Sequence, residues 1–381
     1  MSGRPYWNPA SIVGVGLVDG RGEVPGNHLD QLGVAVHRAL DDAGLSITDV
    51  DGLFTANLVN FLPALTTTEY LGVRPKVYSG SNTGGNAFVD HLLWAGLALA
   101  SGQCEVALVC YGSNQRSGRT GSMPPDRWPY QDAYSPMEPI SSYALAAARH
   151  MHEFGTTREQ LAEVAVAARQ WAQLNPEAVM QDDLSIADVL SARIVASPLS
   201  LLDCCLVTDG AGAVVLTTPE RARNLRNMPV NVAGVATEMT HHQISQAPSL
   251  VSTGAAESGR RALEMAGIGI GDVDVVQLYD AFTINVILFL EDLGFCKKGE
   301  GGAFVEGGRI APGGDLAVNT NGGGLSCMHP GMYGVFLLIE AVRQLRGQAG
   351  ERQVSGAETA LCHGNGGLLS AQSTAVLVRG A

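Results

Sequence analysis

Charge is scarce in this chain. Only 16% of its 381 residues are Asp, Glu, Lys or Arg, against about a quarter in an average soluble domain. Much of the surface is therefore expected to be buried, as in an oligomer. The charge that exists leans acidic: 24 basic against 37 acidic residues give a net charge of −13. No run of Lys or Arg occurs, which argues against nucleic-acid binding, and no basic amphipathic stretch offers a membrane-surface helix. Long apolar runs are missing too. The longest, residues 92–100, is about half a membrane span. Residues 1–11 carry no charged-then-apolar leader pattern, so a cytoplasmic location is expected. The seven cysteines are odd in number and form no CxxC. That argues against a disulfide framework and a zinc site. Also missing are GxxxxGK[ST], a complete GxGxxG after Gly14-Val15-Gly16, HExxH and an EF-hand loop. His363-Gly364-Asn365-Gly366 resembles a lipase oxyanion loop, but no GxSxG accompanies it.

What the chain has in abundance is glycine, 47 residues, within a composition that is 46% hydrophobic. Glycine at this level marks tight turns and close approach of backbone to a ligand or another element. An internal echo organises the chain. Residues 39–51 read ALDDAGLSITDVD and residues 262–274 read ALEMAGIGIGDVD. In each copy a helix ends at Ala-Gly (Gly44, Gly267), and a short loop leads into a strand. A second echo follows in the same order. Asn82-Thr83-Gly84-Gly85 precedes an apolar helix, 87–100, and a strand, 105–112. Asn321-Gly322-Gly323-Gly324 precedes an apolar helix, 334–346, and a strand, 358–364. Two echoes in one order imply duplication, with α/β halves at 1–220 and 221–381. Helices 87–100 and 334–346 lack a fully polar face, so they are expected between layers. Residues 116–202 differ in texture, with helices predicted over 141–154 and 157–174. They read as an excursion covering one face of the first half and shaping a substrate site. Arg116 and Arg119, at its start, suit phosphate.

Several motifs resemble the thiolase superfamily. NTNGGGLSCMHPGMYG (319–334) resembles its glycine-rich "GG…GHPxGxxG" loop, ETALCHGNGG (358–367) its terminal active-site loop, and YDAFT (279–283) its "NEAF" or "HDCF" loop. HMHEFGTT (150–157), NPEAV (175–179), SPLSLLDCCLVTDGAGAVVL (197–216) and QLRGQAGERQVSGAETAL (344–361) look like sterol-carrier-type thiolases. The resemblance implies a duplicated thiolase fold: two α/β/α halves in a five-layer αβαβα sandwich, usually paired as a homodimer.

The departures from that pattern decide the chemistry it implies. A thiolase carries its acyl group on a cysteine at the start of the first buried helix. Here that segment is Tyr78-Ser-Gly-Ser-Asn-Thr-Gly-Gly-Asn86, without cysteine. Ser79 or Ser81 would need an adjacent base to replace the thiol. Cys362 and His363 align equally well with the family's last reactive position. His91, His150 and His152 read as structural. What remains suits an enolate. His329 matches the family's donor histidine, and Tyr279 and Tyr333 stand where its acid/base groups belong. This resembles the lipid-transfer-protein branch, which contains steroid side-chain aldolases. The implied reaction is retro-aldol Cα–Cβ cleavage of a β-hydroxyacyl-CoA to a ketone and a shorter acyl-CoA. A tyrosinate would remove the hydroxyl proton, and a second acid would protonate the enolate carbon. Catalytic roles are implied for Tyr279, Tyr333, His329 and His363. Substrate or oxyanion binding is implied for Gly85, Asn321, Gly366 and Asp280. No metal or cofactor is expected, CoA being part of the substrate. Members of the branch associate with an OB-fold, zinc-ribbon protein, which here would be a separate partner. Two other readings stay open: an acyltransferase with an unusual nucleophile, and a non-catalytic acyl-CoA- or lipid-binding subunit.

Overall fold

The computed structural model describes residues 9–19, 25–118, 131 and 133–380; Arg119 lies outside them. Strands are β1 (Ser11–Val18), β2 (Gly52–Thr55), β3 (Val77–Ser79), β4 (Val106–Ser113), β5 (Ile194–Ala196), β6 (Leu199–Ser200), β7 (Gly210–Thr217), β8 (Val230–Met239), β9 (Val275–Leu278), β10 (Ala317–Val318), β11 (Thr359–Gly366) and β12 (Ala371–Arg379). Helices of eight or more residues are α1 (His28–Ala43), α2 (Pro63–Leu71), α3 (Ala87–Ala100), α4 (Ile140–Phe154), α5 (Arg158–Gln173), α6 (Ala255–Ala266), α7 (Thr283–Leu293) and α8 (Gly334–Arg346).

Ten strands form one mixed sheet in the order β10-β9-β11-β12-β8-β1-β7-β4-β2-β3. Each side of its centre repeats the other. β2 pairs in parallel with β3 and β4 in the first half, and β9 with β10 and β11 in the second. The two sides join where β1 meets β8, antiparallel at Ser11↔Asn231 and Ile12↔Val230. The echo in the sequence is thus an echo in topology. α1 and α6 both end at left-handed glycines, Gly44 (φ 71°) and Gly267 (φ 70°).

Small residues set the layers. A Cβ on Gly14 or Gly16 would fall 2.0 Å from the Ala39 carbonyl oxygen or 2.1 Å from that of Ala35. The two glycines of the failed nucleotide fingerprint thus let α1 lie directly on β1. Gly234 serves α6 alike, 2.1 Å from the Ala262 oxygen. α1 and α6 cover the outer faces, each with its own small core. α3 and α8 lie between the halves and touch strands of both. The result is the five-layer arrangement, with the largest core around the two inner helices. Among the described residues, no helix is long and apolar enough to cross a membrane.

The excursion departs from expectation. It packs on the second half rather than the first, because its buried polar groups find their partners there. His150 of α4 meets Glu291 of α7 at 3.0 Å, and Trp171 of α5 donates to the Ile310 carbonyl at 3.0 Å. Arg116 marks its start, where the amides of Arg116 and Ser117 both donate to Asp209.

Candidate active site

The C-terminal ends of parallel strands are where open α/β sheets place ligands. At the end of β9 the Tyr279 amide donates to the His363 carbonyl at 2.9 Å, continuing the ladder by one residue. The chain then turns through Asp280, Ala281 and Phe282 into α7. This fixes Tyr279 with its ring 4% exposed, edge-on to His329 (centroids 5.5 Å apart) and to Tyr333 (6.1 Å). The Tyr279 hydroxyl is 3.1 Å from His329 Nε2. Tyr333 stacks on His329, and its hydroxyl accepts from Asn321 Nδ2 at 2.8 Å. Three of the four residues expected to be catalytic therefore form one cluster.

Burial sets their protonation. It pushes both phenols well above the usual tyrosine value and lowers His329 to about 4. All three are neutral near pH 7, which disfavours the resting tyrosinate expected from the resemblance. The Tyr279–His329 contact is the hydrogen bond that joins these neutral groups. Two helix N-termini meet here. α3 and α8 begin at the site, and a Cβ on Gly334 would fall 2.2 Å from the Gly85 carbonyl oxygen. The positive end of a helix dipole favours negative charge.

The side chain of His363 stands outside this cluster. Its Nδ1 is 2.9 Å from Thr374 Oγ1 and its Nε2 2.9 Å from Gln372 Oε1, and the residue is fully buried. Both nitrogens are engaged within the sheet, and the ring lies edge-on to Phe289. The four residues expected at the substrate form the frame of the cluster. Asp280 accepts from the amides of Gly324 (2.7 Å) and Leu325 (3.3 Å). Those amides, and the Asn321 side chain, are thereby engaged within the protein rather than offered to an oxyanion. Burial raises Asp280 to about 7 despite these donors. Gly85 lies against the Tyr279 ring. Gly366 packs on the loop before α3, where a Cβ would fall 1.9 Å from the Thr83 oxygen.

Cysteine chemistry finds no support. Burial raises all seven thiols, Cys204 and Cys296 to about 12 and Cys362 further still, and the Cys362 thiol faces the Leu337 carbonyl. A thiolate is the nucleophile, so none of these is poised. Ser81 does have a base beside it: its Oγ is 2.9 Å from Nε2 of His91, which burial lowers to about 4. Among the described residues, no His/Cys/Asp/Glu cluster could hold a metal.

Sequence reasoning missed the residues that hold the cluster. The His329 amide donates to Thr208 Oγ1 at 3.1 Å, and Asn175 and Arg169 reach the glycine-rich loop from the excursion. Tyr143 of α4 packs against Phe282 at a tilt of 33° (centroids 4.5 Å apart) and accepts from Asn365 at 2.7 Å. Asn175 and Thr208 lie inside the motifs at 175–179 and 197–216; Arg169 and Tyr143 carry no local signal.

Comparison with known proteins agrees with this architecture. Residues 236–379 match the model of the thiolase C-terminal domain-like family. The chain is 35% identical to the 17-hydroxy-3-oxo-4-pregnene-20-carboxyl-CoA lyase of Mycobacterium tuberculosis, over 89% of this chain and 92% of that one. It is 34% identical to a steroid side-chain-cleaving aldolase of Thermomonospora curvata, covering 89% and 90%. To an acetyl-CoA acetyltransferase of Methanothermobacter thermautotrophicus it is 34% identical, covering 86% and 88%. The solved Ltp2-ChsH2(DUF35) aldolase superposes with a TM-score of 0.87 at 30% identity, covering 98% of both chains. The chain belongs to the thiolase superfamily, in the branch that holds the sterol-carrier-type thiolases and the lipid-transfer-protein aldolases.

Proposed function

We propose that this protein cleaves a β-hydroxyacyl-CoA between Cα and Cβ, giving a ketone and a shorter acyl-CoA. The observation that carries the proposal is the 3.1 Å contact between the Tyr279 hydroxyl and His329 Nε2 beside Tyr333. The substrate hydroxyl gives its proton to the Tyr279 oxygen as Tyr279 passes its own to His329, so no free phenolate forms. The electrons of the breaking O–H bond make the ketone. Those of the Cα–Cβ bond make a thioester enolate, which the N-termini of α3 and α8 stabilise. Tyr333, held by Asn321, protonates the enolate carbon, and the proton taken up by His329 returns to Tyr333, so that both residues end neutral as they began. A positioned acid–base group of this kind contributes about 10²–10⁴ in rate.

The partners follow the same reading. The Ltp2-ChsH2(DUF35) aldolase is named for two components, and a separate partner of that second kind is proposed here, together with an acyl-CoA substrate. A homodimer is proposed from the first half's exposed edge. Phe61, Leu62, Leu65 and Tyr78 lie beside or on edge strand β3, and Trp94 and Leu97 follow on α3, all at least 45% exposed. An uncovered edge strand with apolar neighbours is a site for pairing.

One contact favours a second reading. Ser81 and His91 form a hydroxyl–imidazole pair that an acyltransferase would need. Incubating the protein with a β-hydroxyacyl-CoA, with and without a DUF35-type partner, separates the cases. Ketone plus shorter acyl-CoA supports the aldolase, and acyl transfer to CoA supports the acyltransferase. No turnover under either condition leaves a binding subunit.

A further inference from the structure

The glycine-rich loop between β10 and α8 carries both Asn321, which holds Tyr333, and His329, which meets Tyr279. Asn319, Gly322 and Gly323 have positive φ (52°, 100° and 61°), and residues 323–327 form a tight turn closed by its own hydrogen bonds, Ser326 to the Gly322 carbonyl at 2.9 Å among them. The excursion ties this turn from outside. The amides of Val179 and Met180 donate to the carbonyls of Cys327 and Ser326, both at 3.0 Å, and Leu206 donates to Gly324 at 2.9 Å. Arg169, only 4% exposed, donates from Nε to Ser326 Oγ at 3.1 Å.

Asn175 holds both arms of the loop at once. Its side chain is fully buried. Nδ2 donates to the Asn321 carbonyl at 2.9 Å and approaches the Cys327 sulfur at 3.5 Å. Oδ1 accepts from the Glu177 amide at 3.1 Å, which orients the amide plane. Asn321 Oδ1 in turn accepts from the Gly323 amide at 2.9 Å, while Nδ2 donates to the Tyr333 hydroxyl. One side chain thus links the residue that holds the acid to the stretch that leads, two residues later, into His329.

We propose that Asn175 is a positioning residue for the reaction, setting the Tyr333 hydroxyl through Asn321 without touching substrate. The inference rests on the aldolase reading above. The excursion is then a clamp on the catalytic loop rather than a cover over the substrate. Angstrom-scale misplacement of a reacting group costs about 10²-fold in rate. Removing the tie should therefore lower kcat and spare CoA-ester binding.

The test is a double-mutant cycle on C–C cleavage with Asn175→Ala, Tyr333→Phe and the pair. Asn175→Asp serves as a near-isosteric second variant that keeps the Glu177 contact and loses the donor. Expected for both Asn175 variants is a kcat loss of about 10- to 100-fold with KM within about twofold. In the Tyr333→Phe background, Asn175→Ala should add less than about twofold, because both changes act on one hydroxyl. Wild-type kcat in either Asn175 variant, losses that multiply independently, or failure of both to fold would overturn the inference and leave Asn175 a folding residue. If Tyr333→Phe itself cleaves at the wild-type rate, the assignment of the acid fails first and the inference falls with it.

Discussion

A Cβ on Gly85 would lie 2.1 Å from Cε2 of Tyr279 and 2.4 Å from its hydroxyl oxygen. The phenol therefore occupies the volume that any other side chain at position 85 would claim. With His329 and Tyr333 also packed on the ring, Tyr279 has little room to yield. Gly85→Ala should displace it and lower cleavage at least as far as removing the hydroxyl does. Overpacking of this kind costs roughly 1–3 kcal/mol. In a Tyr279→Ala background the same change should cost clearly less. Denaturant unfolding of the four proteins checks the coupling; equal costs in both backgrounds would mean the two residues do not compete.

Tyr279→Phe keeps the ring against Gly85 and deletes the group that meets His329. It should lower kcat for C–C cleavage by about 10²–10⁴, or roughly 3–5 kcal/mol of barrier, with CoA-ester affinity retained. Ser81→Ala, by contrast, should leave cleavage unchanged. A wild-type rate in Tyr279→Phe with a collapse in Ser81→Ala would favour the acyltransferase.

No cysteine should be essential. Replacing Cys327 and Cys362 together by alanine should leave most turnover, apart from a packing cost, because burial keeps both as thiols. Mass spectrometry of the protein mixed with substrate should find no acyl group on either sulfur. An acyl-cysteine adduct would reverse the ranking of the two chemistries.

Asp280 predicts a pH effect on stability. Its folded value, about 7, lies above the ordinary 3.8. Its contribution is therefore fully present below pH 3.8 and is lost as pH rises through about 7, where the buried carboxyl must ionise. The stability of Asp280→Asn relative to wild type should thus improve between about pH 4 and 7. Unfolding free energies across that window test the sign. A difference that stays flat would mean the folded and unfolded values coincide.

Sedimentation should find at least a dimer at micromolar concentration. Phe61, 96% exposed, is the natural probe of that surface. Phe61→Asp should shift the equilibrium toward monomer while leaving the fold intact, whereas an unchanged dimer would place the interface elsewhere.

Local pattern determined a good deal. The paired Ala-Gly helix ends, the two Asn-Gly-rich turns and the apolar helices that follow them obey short-range rules. Each is written within a dozen residues, so the duplicated topology and the Tyr279, His329 and Tyr333 motifs could be read from the chain. Tertiary structure alone decided how those motifs are held. His363 reads like an active-site residue until Thr374 and Gln372 arrive on β12 to engage both its nitrogens. Asp280 reads like a ligand-binding carboxylate until the 323–325 loop folds over it. The excursion reads like a cover on the first half, yet its buried donors meet the loop of the second. Such contacts join residues from 9 to more than 150 positions apart. Composition and periodicity carry no record of which distant backbone carbonyl a buried amide will find; close packing and the cost of an unpaired buried polar group decide that only when the layers come together.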